Sequence, residues 1–139
     1  MSEQKVVIYT DGGARGNPGP AGAGAVVYSG KKKVADVSEF LGIRTNNWAE
    51  YEALILALEA AREALGSPVG EVAVRMDSEL IIRQMNGQYK VKHPDLKEKY
   101  QRVKRLITES FPGITFSHVP REKNKEADKL ANDAMDRGG

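Results

Sequence analysis

Short apolar runs alternate along the chain with longer stretches in which apolar residues recur every three or four positions. Short runs rich in β-branched residues are typical of strands. The chain has five such runs, and a turn at residues 29–33 joins the second run to the third. We predict strands over 5–10, 23–28, 34–41, 71–77 and 112–119.

The stretches with helical spacing predict four helices. The first, TNNWAEYEALILALEAAREALG, is expected to have Asn47 as its N-cap and Gly66 as its C-terminal stop. The others are SELIIRQMNG, HPDLKEKYQRVKRLITESF and NKEADKLANDAMDR, the last with Asn124 as its cap. Three consecutive strands followed by strands that alternate with helices predict an α/β fold with a mixed sheet. We expect residues 1–139 to form one domain.

Composition narrows the chemistry that the chain can perform. The 139 residues include 40% hydrophobic residues and no cysteine. Disulfides and thiolate metal sites are therefore excluded, and any metal must be held by oxygen or imidazole ligands. No stretch reaches the ~18 apolar residues that a membrane-spanning helix requires, so we expect a cytoplasmic monomer without membrane association.

Charge is distributed unevenly along the chain. The net charge is +2, yet residues 83–105 contain eight Lys or Arg and two acids, which gives that segment +6 and the remainder −4. This arrangement is typical of a protein that binds a polyanion on one face and holds acidic chemistry elsewhere. A solvated helix face explains the basic segment equally well.

Two aspartates stand at the ends of apolar runs. We expect the run at 5–10 to be buried on both faces and to end at Asp11, where a glycine-rich loop begins. The run at 71–77 ends at Asp77. Ligands of α/β sheets bind at the carboxyl ends of strands, so both side chains are candidates for one site. Each could instead be an ordinary turn or N-cap residue.

Two further acids lie on predicted helices. At about 100° per residue, Glu50 borders the apolar stripe of its helix, whereas the other glutamates of that helix fall on the opposite face. Glu50 could also complete a capping box with Asn47. Asp128 flanks the apolar stripe of the last helix, and the helix dipole alone would favour an acid there.

Convergence of these four acids would require cations. Like charges in a partly desolvated site repel one another strongly. Ligands that are all oxygen favour Mg²⁺, with Mn²⁺ as a substitute. Two such ions can hold the attacking water and the leaving oxygen of a phosphodiester displacement. The acids therefore point to metal-dependent phosphodiester hydrolysis.

Four blocks of the sequence, in order, resemble the type 1 ribonuclease H family. They are TDGGARGNPGPAGAG, TNNWAEYEAL, MDSELI and REKNKEADKLAN, and together they span nearly the whole chain. The resemblance implies a ribonuclease H-like fold, with a five-stranded mixed sheet flanked by helices on both faces. It also implies an endonuclease that uses Mg²⁺ to cut the RNA strand of RNA/DNA hybrids, leaving 5′-phosphate and 3′-hydroxyl ends. The metal-binding acids of the family fall on Asp11, Glu50, Asp77 and Asp128.

The resemblance further implies contacts with the hybrid. Asparagines near the acids would bind the minor groove, where short amide side chains suit the 2′-hydroxyl of RNA. The basic segment would add phosphate contacts. The substrate-binding residues expected are Gly12, Asn17, Asn46, Asn47, Glu79, Lys90 and Lys92.

Two features depart from the family pattern. Many members have an extra helix and a lysine-rich protrusion, for which QMNGQYKVKHPDL is too short, so we expect a short form with weaker hybrid binding. Many also place an auxiliary histidine on a loop before the last acid. Here His118 falls at the end of the fifth predicted strand and Arg121 lies in a shortened loop. We favour Arg121 for the auxiliary role, with His118 as the alternative.

Other functions are compatible with parts of the sequence. A non-catalytic hybrid-binding module would share the fold, but four clustered acids beside a phosphate backbone would weaken its binding. A DNA-strand transferase would also share the fold, but the chain is short and its asparagines suit RNA. The glycine-rich loop precedes a strand and lacks Gly-Lys-Ser/Thr, which argues against a P-loop nucleotide site.

Overall fold

The computed structural model describes residues 5–138. No helix in this range is both long and apolar enough to cross a membrane. In chain order the elements are β1 (Val6–Ala14), β2 (Gly19–Ser29), β3 (Lys32–Arg44), α1 (Asn46–Leu65), β4 (Val72–Met76), α2 (Glu79–Met85), α3 (Pro94–Ser110), β5 (Ile114–His118), a 3₁₀ helix (Arg121–Lys123) and α4 (Lys125–Gly138).

The five strands form one sheet in the order β3-β2-β1-β4-β5. The first three strands pair antiparallel, whereas β4 pairs parallel with both β1 and β5. Parallel neighbours need a crossover connection, which α2 and α3 provide between β4 and β5. The predicted mixed sheet is confirmed. Only residues 86–93 separate α2 from α3, so the predicted absence of an additional helix there is also confirmed.

Helices cover both faces of the sheet, as predicted. On one face α1 packs against β1, where Ile8, Leu54 and Leu58 are fully buried in one core. On the other face α4 lies directly on β2. A Cβ atom at Gly24 would be only 2.2 Å from the carbonyl oxygen of Ala127, so the absence of a side chain allows this approach.

β1 differs from its prediction in length and in burial. It continues past Asp11 because its antiparallel pairing with β2 extends to Ala14 and Ala21. Only its parallel pairing with β4 stops before Asp11, at Thr10 and Met76. The expectation of burial on both faces is wrong. Alternate residues of β1 are only half-buried, because a cleft remains between this strand and the start of α4.

The N-cap of α1 also differs from its prediction. The helix begins at Asn46, and its N-cap is Thr45, whose hydroxyl accepts a hydrogen bond from the Trp48 amide at 3.3 Å. The prediction of Asn47 as N-cap is wrong. The capping-box explanation of Glu50 fails with it, since Glu50 lies in the second turn of the helix.

The remaining helix ends follow the sequence more closely. Gly66 ends α1 as predicted, with a φ angle of 86° that favours glycine. Asn124 directly precedes α4, the position predicted for the cap, but its Oδ1 accepts no hydrogen bond from the helix. Its Nδ2 donates a hydrogen bond of 2.9 Å to the carbonyl oxygen of Thr10, which ties the start of α4 to β1.

Candidate active site

Three carboxylates converge at the carboxyl ends of the parallel strands. Asp11 and Asp77 follow Thr10 and Met76, the last residues paired between β1 and β4. Glu50 reaches the same point from the second turn of α1. One carboxylate oxygen from each of the three acids lies within 4.8 Å of the other two. Acids predicted from distant parts of the sequence therefore meet in space.

Glu50 is held in place by the backbone of β1. Its side chain is buried, with 5% of the residue exposed, and its Oε1 accepts a hydrogen bond of 2.9 Å from the Gly12 amide. A Cβ atom at Gly12 would lie 2.2 Å from the carbonyl oxygen of Ala49. Gly12 thus lets α1 approach β1 closely enough for this hydrogen bond to form.

Asp128 lies outside the tight group of three but lines the same cleft. It is in the first turn of α4, and its side chain helps to raise the pKa of Asp11. Its Oδ1 is 3.8 Å from a guanidinium nitrogen of Arg121. Its backbone carbonyl accepts a hydrogen bond of 3.0 Å from Asn132 Nδ2. Asp128 therefore lines the carboxylate cleft from α4, whereas Glu50 lines it from α1.

Without a bound cation, burial raises the free energy of the ionised carboxylates, and their pKa values rise accordingly. Burial raises the pKa of Asp11 to about 9, and the neighbouring charges of Glu50, Asp77 and Asp128 add to the effect. It raises the pKa of Glu50 to about 8, despite the opposing hydrogen bond from the β1 backbone. Burial also raises the pKa of Asp77, against the positive charge of Arg121. A bound cation would remove this penalty and favour ionised carboxylates.

The donor set fits a hard divalent cation. All of the converging side chains are carboxylates, and the three closest oxygens span the short distances that shared coordination requires. Mg²⁺ and Mn²⁺ prefer such oxygen ligands. The observed geometry therefore agrees with a divalent metal site at the predicted acids.

His118 and Arg121 both line the carboxylate cleft, which has a volume of about 460 Å³. His118 is the last residue of β5 and pairs with Met76, directly before Asp77. Arg121 is in the 3₁₀ helix, and its side chain is 81% exposed. The charges of both side chains lower the pKa of Asp77, so both lie close to it. Position alone does not separate the two auxiliary candidates.

The three predicted asparagines lie at the junction of the β1–β2 loop and α1. Asn46 lines the carboxylate cleft, and its Oδ1 accepts a hydrogen bond of 3.2 Å from the Ala14 amide. Asn17 Oδ1 accepts a hydrogen bond of 2.9 Å from the Asn46 amide. Asn17 and Asn47 line an adjacent cleft of about 440 Å³. Asn17 and Asn46 therefore connect the loop to the helix by hydrogen bonds, in addition to any contact with substrate.

Glu79, Lys90 and Lys92 do not line the carboxylate cleft. Glu79 forms an ion pair of 2.8 Å with Arg83 and lines a smaller cleft that shares only His118 with the carboxylate cleft. Lys90 and Lys92 are exposed in the segment between α2 and α3. Nothing in their contacts tests their predicted roles.

Part of the basic segment is already paired within the protein. Lys99 lies 2.6 Å from Glu52, and Arg102 lies 2.9 Å from Glu59, so two charges of α3 face acids of α1. Residues 83–105 therefore offer a polyanion less positive charge than their net charge of +6 indicates.

Arg15 lines the carboxylate cleft and was not singled out from the sequence. Its guanidinium lies 2.7 Å from Asp136 and donates hydrogen bonds to the carbonyl and Oδ1 of Asn132, at 3.4 and 3.3 Å. Arg15 thus joins the loop after β1 to the helix that carries Asp128. The available signal was a single cation in a segment rich in glycine and proline, where Asn17 is the only other polar side chain of residues 12–20.

The sequence matches one protein family and is similar to proteins from other organisms. The Reverse transcriptase-like family matches residues 9–134. The Bifunctional protein Rv2228c of Mycobacterium tuberculosis is 50% identical over 134 residues, which are 95% of this chain and 36% of that protein. Ribonuclease HI of Halobacterium salinarum is 44% identical over 133 residues, which are 95% of this chain and 65% of that protein. The chain thus spans about a third of the first relative and just under two thirds of the second.

A solved structure matches over nearly the whole chain. It is the crystal structure of LC11-RNase H1, isolated from compost by a metagenomic approach, in complex with an RNA/DNA hybrid. The two proteins are 51% identical, with a TM-score of 0.91 over 96% of this chain and 98% of that chain. The folds are therefore the same.

Proposed function

Because the chain belongs to the type 1 ribonuclease H family, we propose that it is a metal-dependent endonuclease acting on the RNA strand of RNA/DNA hybrids. The observation that carries this proposal is the convergence of Asp11, Glu50 and Asp77, with oxygens within 4.8 Å of one another. The complex of LC11-RNase H1 with a hybrid supports the choice of substrate. The products would have 5′-phosphate and 3′-hydroxyl ends.

The four acids would hold Mg²⁺, with Mn²⁺ as a substitute. When bound with substrate, two ions would hold the attacking water and the leaving oxygen and neutralise charge on the phosphate. The fold would hold the metal-binding carboxylates in place. Asp11 is held on β1, Asp77 follows β4, and Glu50 is held by the Gly12 amide. Asp128, in the first turn of α4, would be the fourth ligand.

We assign the auxiliary role to Arg121. Its exposed guanidinium lies beside Asp128, where it could stabilise negative charge on a phosphate. Arginine cannot act as a general base near neutral pH. His118 remains the alternative for proton transfer, since an imidazole has one nitrogen that can donate a proton and one that can accept it, and this side chain lines the same cleft.

Recognition of the hybrid would use the asparagines beside the acids. Asn46 lines the cleft, and Asn17 and Asn47 lie in the adjacent one. Their amides can both donate to and accept from the 2′-hydroxyl of RNA. Gly12 lines the carboxylate cleft beside Asp11 and is assigned a backbone contact with the hybrid. Further contacts are assigned to Glu79, Lys90 and Lys92.

The proposal is tested with three substrates of one sequence: RNA/DNA hybrid, double-stranded RNA and DNA duplex. We expect cleavage of the hybrid alone, with Mg²⁺ or Mn²⁺, and none in EDTA. Hybrid binding without cleavage would instead favour a non-catalytic module. Cleavage of every duplex alike would favour a DNA-strand transferase. End labelling of the products checks the proposed 5′-phosphate.

Several properties of the whole protein remain predictions. A single domain over residues 1–139, a monomeric state and a cytoplasmic location are the expected arrangement. Light scattering of the purified chain checks the monomer.

A further inference from the structure

A second cleft lies on the sheet face that α4 only partly covers. Its volume is about 390 Å³, within the range of sites that bind small molecules. It shares no lining residue with the carboxylate cleft. The residues that line it are Val7, Tyr9, Tyr28, Gly30, Arg75, Lys123, Asn124, Glu126 and Ala127.

Arg75 gives this cleft an unneutralised positive charge. The side chain is half-buried on β4, and it forms no ion pair with any residue in the described range 5–138. Its Nη1 donates a hydrogen bond of 2.8 Å to the Tyr9 hydroxyl, and the guanidinium lies 5.6 Å from the centre of the Tyr9 ring. Partly buried charges are normally paired, so Arg75 is suited to an external anion.

The acid in the cleft does not cancel that charge. Among the described lining residues Glu126 alone is acidic, and its carboxylate is occupied on both oxygens. Oε1 accepts a hydrogen bond from the Tyr28 hydroxyl at 2.5 Å, and Oε2 lies 2.9 Å from Lys33 Nζ. Lys33 neutralises Glu126, which leaves Arg75 and Lys123 as the positive charges of the cleft.

The walls of the cleft also offer aromatic surface and a hydrogen-bond acceptor. Tyr9 and Tyr28 present rings on which a flat group can stack. Asn124 is 1% exposed, and its Oδ1 has no hydrogen-bond partner among the described residues, while its Nδ2 is used by Thr10. A buried acceptor without a donor is unfavourable, so a ligand that supplies an N–H or O–H would be preferred.

From these features we propose that the cleft binds a small organic phosphate that carries a flat, hydrogen-bonding ring, as a nucleoside monophosphate does. The phosphate pairs with Arg75 and Lys123, the ring lies against Tyr9, and an N–H group carried by the ring, such as the exocyclic amino group of adenine, donates towards Asn124. This site is independent of the proposed nuclease activity, because it uses neither the acids nor the metal.

Calorimetric titration of the full chain in EDTA tests the proposal. The probes are adenosine monophosphate, adenosine and inorganic phosphate. We expect the nucleotide to bind at least about tenfold more tightly than either part alone, since both the ring and the phosphate contribute. Equal binding of inorganic phosphate and the nucleotide would overturn the assignment of the ring. Absence of nucleotide binding in the millimolar range would overturn the site.

Variants locate the binding in this cleft. Arg75→Met should weaken nucleotide binding about tenfold or more by removing the phosphate partner, and Arg75→Lys should weaken it less. Arg102→Met, which removes an exposed arginine of α3, is the matched control and should leave binding unchanged. Asp11→Asn should also leave binding unchanged, whatever it does to cleavage. Circular dichroism verifies that each variant is folded, and unchanged affinity in a folded Arg75→Met variant would refute the proposal.

Discussion

Asp11 is the acid whose ionisation the fold opposes most strongly, with its pKa raised to about 9. Asp11→Asn should reduce hybrid cleavage at least ~10²-fold, because a metal ligand is removed. In EDTA the same variant should unfold at a higher temperature than the original protein near pH 8. Near pH 8 the aspartate of the folded protein must either take up a proton or remain charged beside other acids, and both cost free energy. The neutral amide of asparagine avoids this cost. Rates and melting temperatures are measured on one preparation.

Asp36→Asn is the matched control for this substitution. Asp36 is exposed on β3, away from the acid cluster, so neither cleavage nor melting temperature should change appreciably. Loss of both activity and thermal stability in Asp11→Asn would contradict the account of Asp11 as a destabilising ligand.

The stability of the metal-free protein should fall as pH rises. A carboxyl group whose pKa is raised on folding stabilises the fold fully only below its unfolded pKa of about 4. That contribution is lost as pH rises through about 8 for Glu50 and about 9 for Asp11. We therefore expect the urea midpoint in EDTA to decrease between roughly pH 5 and pH 9.

Mg²⁺ should reverse this loss, because the metal binds the ionised carboxylates of the folded state. The difference in urea midpoint between Mg²⁺ and EDTA should therefore grow with pH. A difference that is the same at acidic and alkaline pH would show that the acids do not bind the ion in competition with protons.

At the scale of elements, the contact between β2 and α4 depends on the absence of a side chain. Gly24→Ala would place a Cβ atom 2.2 Å from the Ala127 carbonyl oxygen and 2.5 Å from the Ala131 nitrogen, both in the backbone of α4. We expect a loss of about 1–3 kcal/mol in the free energy of unfolding. Cleavage should also fall, because α4 carries Asp128. Urea unfolding and hybrid cleavage measure the two effects.

Gly113→Ala is the matched control. Its new Cβ would lie 3.5 Å from its nearest neighbour, Glu71 Cα, which is an ordinary contact. Equal destabilisation by the two substitutions would show that general glycine effects, rather than the packing of α4, account for the result.

The elements themselves were largely predictable, whereas their ends were not. Short apolar runs rich in β-branched residues located the five strands. Apolar spacing of three or four residues located the four α-helices, because a helix buries only one face. The end of β1 depends instead on pairing with β2, which continues through Gly12 and Gly13 to Ala14. The sequence could not separate Thr45 from Asn47 as N-cap, because threonine and asparagine can both adopt the extended backbone angles of that position. Only the structure shows that Thr45 adopts them.

The acids of the site were predictable for a different reason. Glu50 stood out because a carboxylate beside an apolar stripe conflicts with the usual pattern of a helix, and its 5% exposure confirms that position. Arg15 had no such conflict, since a charged residue in a loop is ordinary. Its contacts with Asn132 and Asp136 depend on how α4 docks, which no local pattern encodes.

For the whole molecule, affinity for a hybrid should depend on charges outside the acid cluster. Replacing both Lys90 and Lys92 with alanine should weaken hybrid binding, because each lysine that pairs with a phosphate releases a counterion from the duplex. The slope of log affinity against log salt should fall by about one unit for each phosphate that the variant no longer neutralises. Binding is measured in Ca²⁺ or EDTA over a range of salt concentrations, so that cleavage does not interfere.

Lys31→Ala provides the control. Lys31 lies in the turn between β2 and β3, where Gly30 is hydrogen-bonded to Lys5 at the end of β1 remote from Asp11. An equal change of salt slope in Lys31→Ala would show that net charge, rather than the segment between α2 and α3, controls the affinity.

The four acids come from β1, α1, the residue after β4 and α4, so the set is spread over positions 11 to 128. During synthesis on the ribosome, the last of them emerges only after all five strands of the sheet have been made. A nascent chain therefore lacks the complete set until α4 leaves the exit tunnel and docks. Under the proposed function, a translation product that stops before this helix would lack one ligand of the metal site and should be inactive as a nuclease.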